Sequence, residues 1–223
     1  MPHSAGDQQS PKTEGLHLDM AAPEFTARTT KGARSLSEYR GKWLILFSHP
    51  ADFTPVCTSE FLAFERRAKD FRAKNCELLG LSVDSVFSHR AWTDSIKDHF
   101  GVEISFPIIE DVSMSIAYDY GMIHEGSVST ATVRSVFFID PDGILRALVH
   151  HPATVGRSVD EIFRVLVSLQ HADEMDGIVL PEGWVPGDKV LLDTAYGLEA
   201  ANDDDDGLWY FQERDYDSVA GSA

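Results

Sequence analysis

Only two cysteines, Cys57 and Cys76, occur in 223 residues. Two thiols placed this way cannot form the disulfide framework of a small secreted scaffold, so a reducing cytoplasm is the expected compartment. Long apolar runs are missing as well. The stretch 43–47 falls far short of the ~20 residues a membrane span needs, and MPHSAGDQQSPKTEG at the start has no apolar segment for a signal peptide. No membrane association is expected. Basic residues are scarce: seven lysines and twelve arginines stand against 36 acidic residues, a formal net charge of −17. Nucleic acid and anionic membrane surfaces are therefore poor partners. Salt would screen the self-repulsion of such a surface, so a high-salt cytoplasm is one reading of the composition and an ordinary acidic protein is the other. There is no C-x-x-C pair for a disulfide reductase and no H-E-x-x-H for a zinc hydrolase, and no metal or cofactor is expected.

What is present suffices for one sizeable core, since 43% of the residues are hydrophobic and 10% aromatic. Residues 1–15 are polar and read as a flexible tail. From there to residue 175, short apolar runs alternate with helical periodicities. The runs 42–48 (KWLILFS), 76–83 (CELLGLSV), 106–109 and 135–139 (SVFFI) read as buried strands. Between them, Phe61, Phe64, Ala68 and Phe71 recur at spacings of three and four within 58–74, the mark of an amphipathic helix. Segments 86–100, 113–120 and 158–170 repeat the pattern, and DPDG at 140–143 turns SVFFI back into the run 144–149. The expected fold class is an α/β sandwich with a mixed central sheet flanked by helices. Residues 176–223, with Pro181, Pro186, the aspartate run 203–206 and the aromatics Trp209, Tyr210 and Phe211, read as an extended C-terminal arm. The aspartates read as a solvated loop, because no further oxygen ligands accompany them.

Cys57 lies in SHPADFTPVCTSE, between the strand KWLILFS and a helix opening near Pro55. Proline is favoured in a first helical turn, where unpaired N–H groups and the helix dipole favour a thiolate. A buried packing cysteine is the competing reading. Thr54 stands three residues before Cys57, one helical turn away, so its hydroxyl could donate to the thiolate or to a bound substrate oxygen; helix capping is the alternative. Arg134, beside a strand as apolar as SVFFI, must either pair with an anion or escape to solvent.

The pattern P-x-x-x-T-x-x-C, read as Pro50, Thr54 and Cys57, resembles the active-site signature of peroxiredoxins, and SHPADFTPVCTSEF is similar to their one-cysteine and archaeal thioredoxin-peroxidase branch. The likeness spans residues 17–223 through GLSVDSVFSHRAW, FPIIED, TVRSVFFIDPDG, VGRSVDEIFRVL and LPEGWVPGDKVLL. It implies a thioredoxin-like peroxidase domain over residues 16–175 and a dimerisation arm over 176–223. It also implies roles: Cys57 as peroxidatic nucleophile, Pro50 as its shield from water, Thr54 as the group that orients the peroxide. Arg134 would stabilise the thiolate and the leaving oxygen, with Glu60 and Arg157 holding that arginine. His49 and Val56 are further candidates for the pocket, although a lone histidine is as readily structural.

The implied reaction is attack of the Cys57 thiolate on a hydroperoxide oxygen, giving a sulfenic acid and water or an alcohol. The stretch GLWYFQE at 207–213 has no cysteine where archaeal relatives carry a resolving one, and Cys76 begins the strand CELLGLSV as a small hydrophobe would. A one-cysteine cycle with an external thiol reductant is therefore expected. The resemblance further implies homodimers that often assemble into decamers. A redox-responsive chaperone or peroxide sensor using the same Cys57 is the alternative function.

Overall fold

The computed structural model describes residues 15–123, 126–193, 208 and 210–216. Most of the expected N-terminal tail, the aspartate run 203–206 and Trp209 lie outside the described residues.

In chain order the elements are β1 (Thr26–Thr29), β2 (Gly32–Ser35), a 3₁₀ turn (Leu36–Tyr39), β3 (Trp43–Ser48), α1 (Pro55–Ala73), β4 (Cys76–Ser82), α2 (Val86–Phe100), β5 (Ile108–Glu110), α3 (Ser115–Asp119), β6 (Arg134–Ile139), β7 (Leu145–His151) and α4 (Val159–Glu174). Seven strands form one sheet in the order β2-β1-β5-β4-β3-β6-β7. The neighbours β3, β4 and β5 run parallel and the other pairs antiparallel, so the sheet is mixed.

The central strand shows why these residues form a sandwich. Every residue of β3 is buried, as a strand covered on both faces requires. Trp43, Ile45 and Phe47 point into a cluster with α1, α2 and α4, while Leu44 and Leu46 point into a second with the 3₁₀ turn and α3. This helix-flanked mixed sheet is the thioredoxin-like arrangement implied by the resemblance. Within it, α1 starts at Pro55 and buries Cys57, Glu60, Phe61, Phe64, Ala68 and Phe71. Ser85 caps α2 by accepting from the Ser88 N–H, and Gly101, at φ 68°, ends it. In the DPDG turn, Asp140 Oδ1 accepts from the N–H groups of Asp142 and Ile144.

Three features depart from the sequence reading. The hairpin β1–β2 is polar in sequence (TART and GARS), so its hydrophobic pattern is silent; the turn is made by Gly32 at φ 93°. The expected strand 106–109 and helix 113–120 are shorter, at Ile108–Glu110 and Ser115–Asp119. Finally, the described part of the C-terminal arm is not simply extended. Its strands β8 (Ile178–Val179), β9 (Val190–Leu192) and β10 (Glu213–Arg214) form a small antiparallel sheet. Ile178, Trp184 and Val190 bury against Val167 of α4 and Met175, because a tryptophan and branched aliphatics gain more from burial than a solvated strap would allow. Among the described residues, no helix is long and apolar enough to cross a membrane.

Candidate active site

The strand β3 ends at Ser48, a turn over residues 49–54 follows, and α1 begins at Pro55. This junction lies at the carboxyl end of the parallel strands, where ligand sites of open α/β sheets form. Cys57 is the third residue of α1 and is fully buried. The first intrahelical bond runs from the Thr58 N–H to the Thr54 carbonyl. The N–H groups of Val56 and Cys57 therefore have no acceptor within the helix, which leaves positive potential at the thiol.

Arg134, the first residue of β6, brings its Nη1 to 3.3 Å from Cys57 Sγ and 2.8 Å from Glu60 Oε2, while its Nε donates to the Ala153 carbonyl at 3.0 Å. Of the two options open to this arginine, it takes the pairing one. Arg157 holds Glu60 from the other side. Its Nε and backbone N–H donate to Oε1 at 2.8 and 2.7 Å, and Nη2 donates to Oε2 at 2.7 Å. Nη1 of Arg157 donates to the carbonyls of Ser48 and Ser135, both at 2.8 Å, tying the pair to β3 and β6. Burial alone would push the Glu60 carboxyl up, but the hydrogen bonds and charge of Arg157, then the charge of Arg134, outweigh it and hold it below the usual carboxylate range. Glu60 is thus an anion that aims two guanidinium groups, one of them at the thiol.

Thr54 occupies the N-cap position of α1, yet its hydroxyl makes no capping bond and donates instead to the Ala51 carbonyl at 2.8 Å. Neither sequence reading of Thr54 anticipates this contact. Pro50 and Val56 are half-buried around the turn. The approach of the 152–157 loop to α1 is close at Val56, since a Cβ on Gly156 would meet Val56 Cγ1 at 3.3 Å.

His49, offered by the sequence as a pocket or structural residue, directly follows β3 at the start of the turn. Its ring is wholly buried, packed near Phe61 and Trp92, and its Nε2 donates to Asp52 Oδ1 at 2.9 Å. Burial pushes the His49 imidazole down, against the opposing pull of Asp52. The same carboxylate meets a second buried histidine, with His89 Nδ1 at 3.1 Å from Oδ1 and 2.9 Å from Oδ2. Burial would raise Asp52, but the hydrogen bonds of the two histidines prevail and hold its carboxyl well below the ordinary range. Asp52 and His89 escaped the sequence reading. A signal existed: Val86, His89, Trp92 and Ile96 form the buried stripe of α2, and a histidine on such a stripe needs a buried partner.

The donor atoms of His49, Asp52 and His89 lie within 4.8 Å of one another, the only cluster of metal-ligating type among the described residues. Two ligands on one zinc at about 2.0–2.1 Å would sit about 3.3 Å apart. Contacts of 2.9 Å between ring nitrogens and carboxylate oxygens are direct hydrogen bonds instead.

Cys76 starts β4, and burial pushes its thiol up. In the parallel β3–β4 pair Trp43 faces Cys76 while Ser48 faces Leu81. About 16 Å of strand therefore separates Cys76 from the Ser48 end where the turn and Cys57 lie. Cystine formation needs Cα atoms within about 7 Å, so the second thiol is out of reach of the first.

Comparison with known proteins agrees with this geometry. The AhpC/TSA family matches residues 18–148, and the C-terminal domain of 1-Cys peroxiredoxin matches residues 168–197. Peroxiredoxin 2 of Thermoplasma acidophilum is 50% identical over 199 residues, covering 87% of this chain and 98% of its own. A peroxiredoxin of Aquifex aeolicus is 51% identical over 170 residues, 76% of each chain. Among solved structures, a yeast mitochondrial 1-Cys peroxiredoxin, described for thiol resolution via glutathione/thioredoxin systems, superposes with TM-score 0.74 at 40% identity over 81% of this chain and 88% of that one. A Peroxiredoxin 6 of Arenicola marina gives TM-score 0.74 at 36% identity, covering 80% and 84%.

Proposed function

This chain belongs to the AhpC/TSA family as a peroxiredoxin, a thiol peroxidase, and on that premise we propose that Cys57 is its peroxidatic nucleophile in a one-cysteine cycle. The observation that carries the reading is the Arg134 guanidinium 3.3 Å from a buried sulfur in the first turn of α1. Two independent sources of positive potential converge on that sulfur, and both favour the thiolate. The thiolate attacks the terminal oxygen of the hydroperoxide, the S–O bond forms as the O–O bond breaks, and the alkoxide or hydroxide takes a proton to leave as alcohol or water. Negative charge moves from sulfur to the leaving oxygen, where Arg134 and the free N–H groups of α1 stabilise it, joined by Thr54 once its hydroxyl turns from the Ala51 carbonyl. Pro50 and Val56 limit water at the sulfur. Glu60 and Arg157 keep Arg134 on station.

Cys57 is left as a sulfenic acid. An external thiol condenses with it, releasing water and forming a mixed disulfide, and a second thiol equivalent restores the cysteine. The distance to Cys76 supports an external reductant, and the yeast relative's glutathione and thioredoxin systems name two candidates. We further read the chain as a homodimer able to form decamers in a reducing cytoplasm. Exposed Phe53 and Phe100, on a groove beside Thr54, are surfaces such contacts would cover. Peroxide consumption by the purified chain, supplied in turn with dithiothreitol, glutathione and thioredoxin, tests the function beside Cys57→Ser. Turnover with at least one thiol, lost in the variant, is expected. A single stoichiometric oxidation without turnover would favour a sensor.

A further inference from the structure

We infer that His89 is a positioning residue for the peroxide-binding turn, holding Asp52 and through it the segment 50–54 that carries Pro50 and Thr54. This rests on the reading of Cys57, Pro50 and Thr54 just given. Within the turn the Thr54 hydroxyl donates to the Ala51 carbonyl, and one residue between them is strained. Phe53 sits at φ 56° and is 58% exposed, a left-handed conformation that bulky residues avoid unless their surroundings impose it. The constraint must come from a neighbour, and Asp52 is the neighbour that is buried.

Asp52 is anchored twice. Its backbone N–H donates to Asp84 Oδ2 at 3.0 Å, and that oxygen also accepts from Ser82 Oγ at 2.8 Å, at the end of β4. Its side chain lies between the rings of His49 and His89. His89 then reaches β5, with Nε2 3.0 Å from the Ile109 carbonyl. The Ile109 carbonyl and the Asp52 carboxylate both only accept, so the completely buried His89 ring bridges two acceptors, one on β5 and one on the turn. His49 meets one acceptor through Nε2, and its Nδ1 has no hydrogen-bond partner among the described residues, in keeping with a ring that burial pushes toward the neutral form.

The consequence is mechanical. A buried histidine–carboxylate contact with two directed hydrogen bonds joins α2, β5 and the turn, and Thr54 stands two residues beyond its carboxylate. No hydrogen bond of this network reaches Arg134, Glu60 or Arg157. Loosening it should shift Thr54 and Pro50 while leaving the nucleophile and its arginine in place.

The test compares two rates on the full chain: reaction with hydrogen peroxide by stopped-flow tryptophan fluorescence, and alkylation of Cys57 by iodoacetamide, which needs a reactive thiolate but no peroxide-orienting groups. His89→Leu should slow the peroxide reaction about 10- to 100-fold and leave alkylation close to the parent rate. His89→Asn, whose amide donates from the place of Nδ1, should recover most of the loss. If His89→Leu does not fold, Asp52→Asn reads the same link from the other side and should show the same split. Unchanged peroxide rates in both folded variants overturn the inference, as does an equal fall of both rates. Cys57→Ser serves as the control for the underlying reading: persistent turnover there would remove the nucleophile assignment itself.

Discussion

Arg157 and Glu60, 97 residues apart in the chain, form a bidentate ion pair in which both side chains are only 1% exposed. Glu60→Ala would leave two guanidinium groups buried beside each other without their anion. A cost of about 3–5 kcal/mol is expected, by analogy with other buried pairs broken from one side. Urea unfolding of the reduced protein measures it, and a loss below about 1 kcal/mol, the level of a surface pair, would contradict the burial argument.

Arg134→Met should slow the reaction of the reduced protein with hydrogen peroxide by about 10²–10³-fold, the scale seen when one preorganised donor to a developing anion is removed. Arg134→Lys should recover little. An ammonium cannot reach Cys57, Glu60 and the Ala153 carbonyl together as the planar guanidinium does. Stopped-flow kinetics decide it, and a methionine variant as fast as the parent would take Arg134 out of the chemistry.

Cys76→Ser should keep nearly full turnover, because Cys76 lies at the far end of the β3–β4 pair from the turn. Dimedone should trap a single sulfenic acid, on Cys57, after one equivalent of peroxide. Mass spectrometry showing an intrachain Cys57–Cys76 disulfide would refute the one-cysteine cycle.

Acid should destabilise the fold in two stages. Burial pushes the imidazoles of His49 and His150 below their ordinary value. Between that lowered value and about pH 6.5 the unfolded chain binds protons that the native chain refuses, so stability present above pH ~6.5 is lost as pH falls. The depressed carboxyls of Glu60 and Asp52 act with the same sign further down, with stability present above about pH 4 lost as acid protonates them. Melting temperature should fall from pH 7 to 5 and again below 4. His49→Gln should flatten the first stage, and a profile level from pH 7 to 5 would show that these histidines are not held neutral.

With a net charge of −17 per chain, low salt should loosen any oligomer. The screening length shortens from about 8 Å at physiological ionic strength to about 3 Å at 1 M, so assemblies should grow and melt later as salt rises. Sedimentation velocity across a salt series checks this. An assembly state indifferent to salt would leave the acidic surface without an energetic role.

What was legible in the sequence was local. Buried strands announce themselves by short apolar runs, and the helix α1 by Phe61, Phe64, Ala68 and Phe71. The placement of Pro55 and Cys57 in a first helical turn follows from spacing alone, because each of these relations spans a few residues and obeys one period. The polar hairpin β1–β2 had no such pattern to read, and the arm's return onto α4 depends on a surface that α4 and Trp184 make only after packing.

Residue spacing alone left Arg134 between pairing and escape, and could not show that His49 and His89 share one carboxylate. Those outcomes required residues 74, 97 and 37 positions apart to meet in a dry interior. There an unpaired charge is too costly to keep, and the partner available is set by the register of the sheet and the placement of the helices. Local spacing was enough to put Cys57 in the first turn of a helix, whereas the buried charges around it and the contacts that hold its turn came from packing across distant parts of the chain.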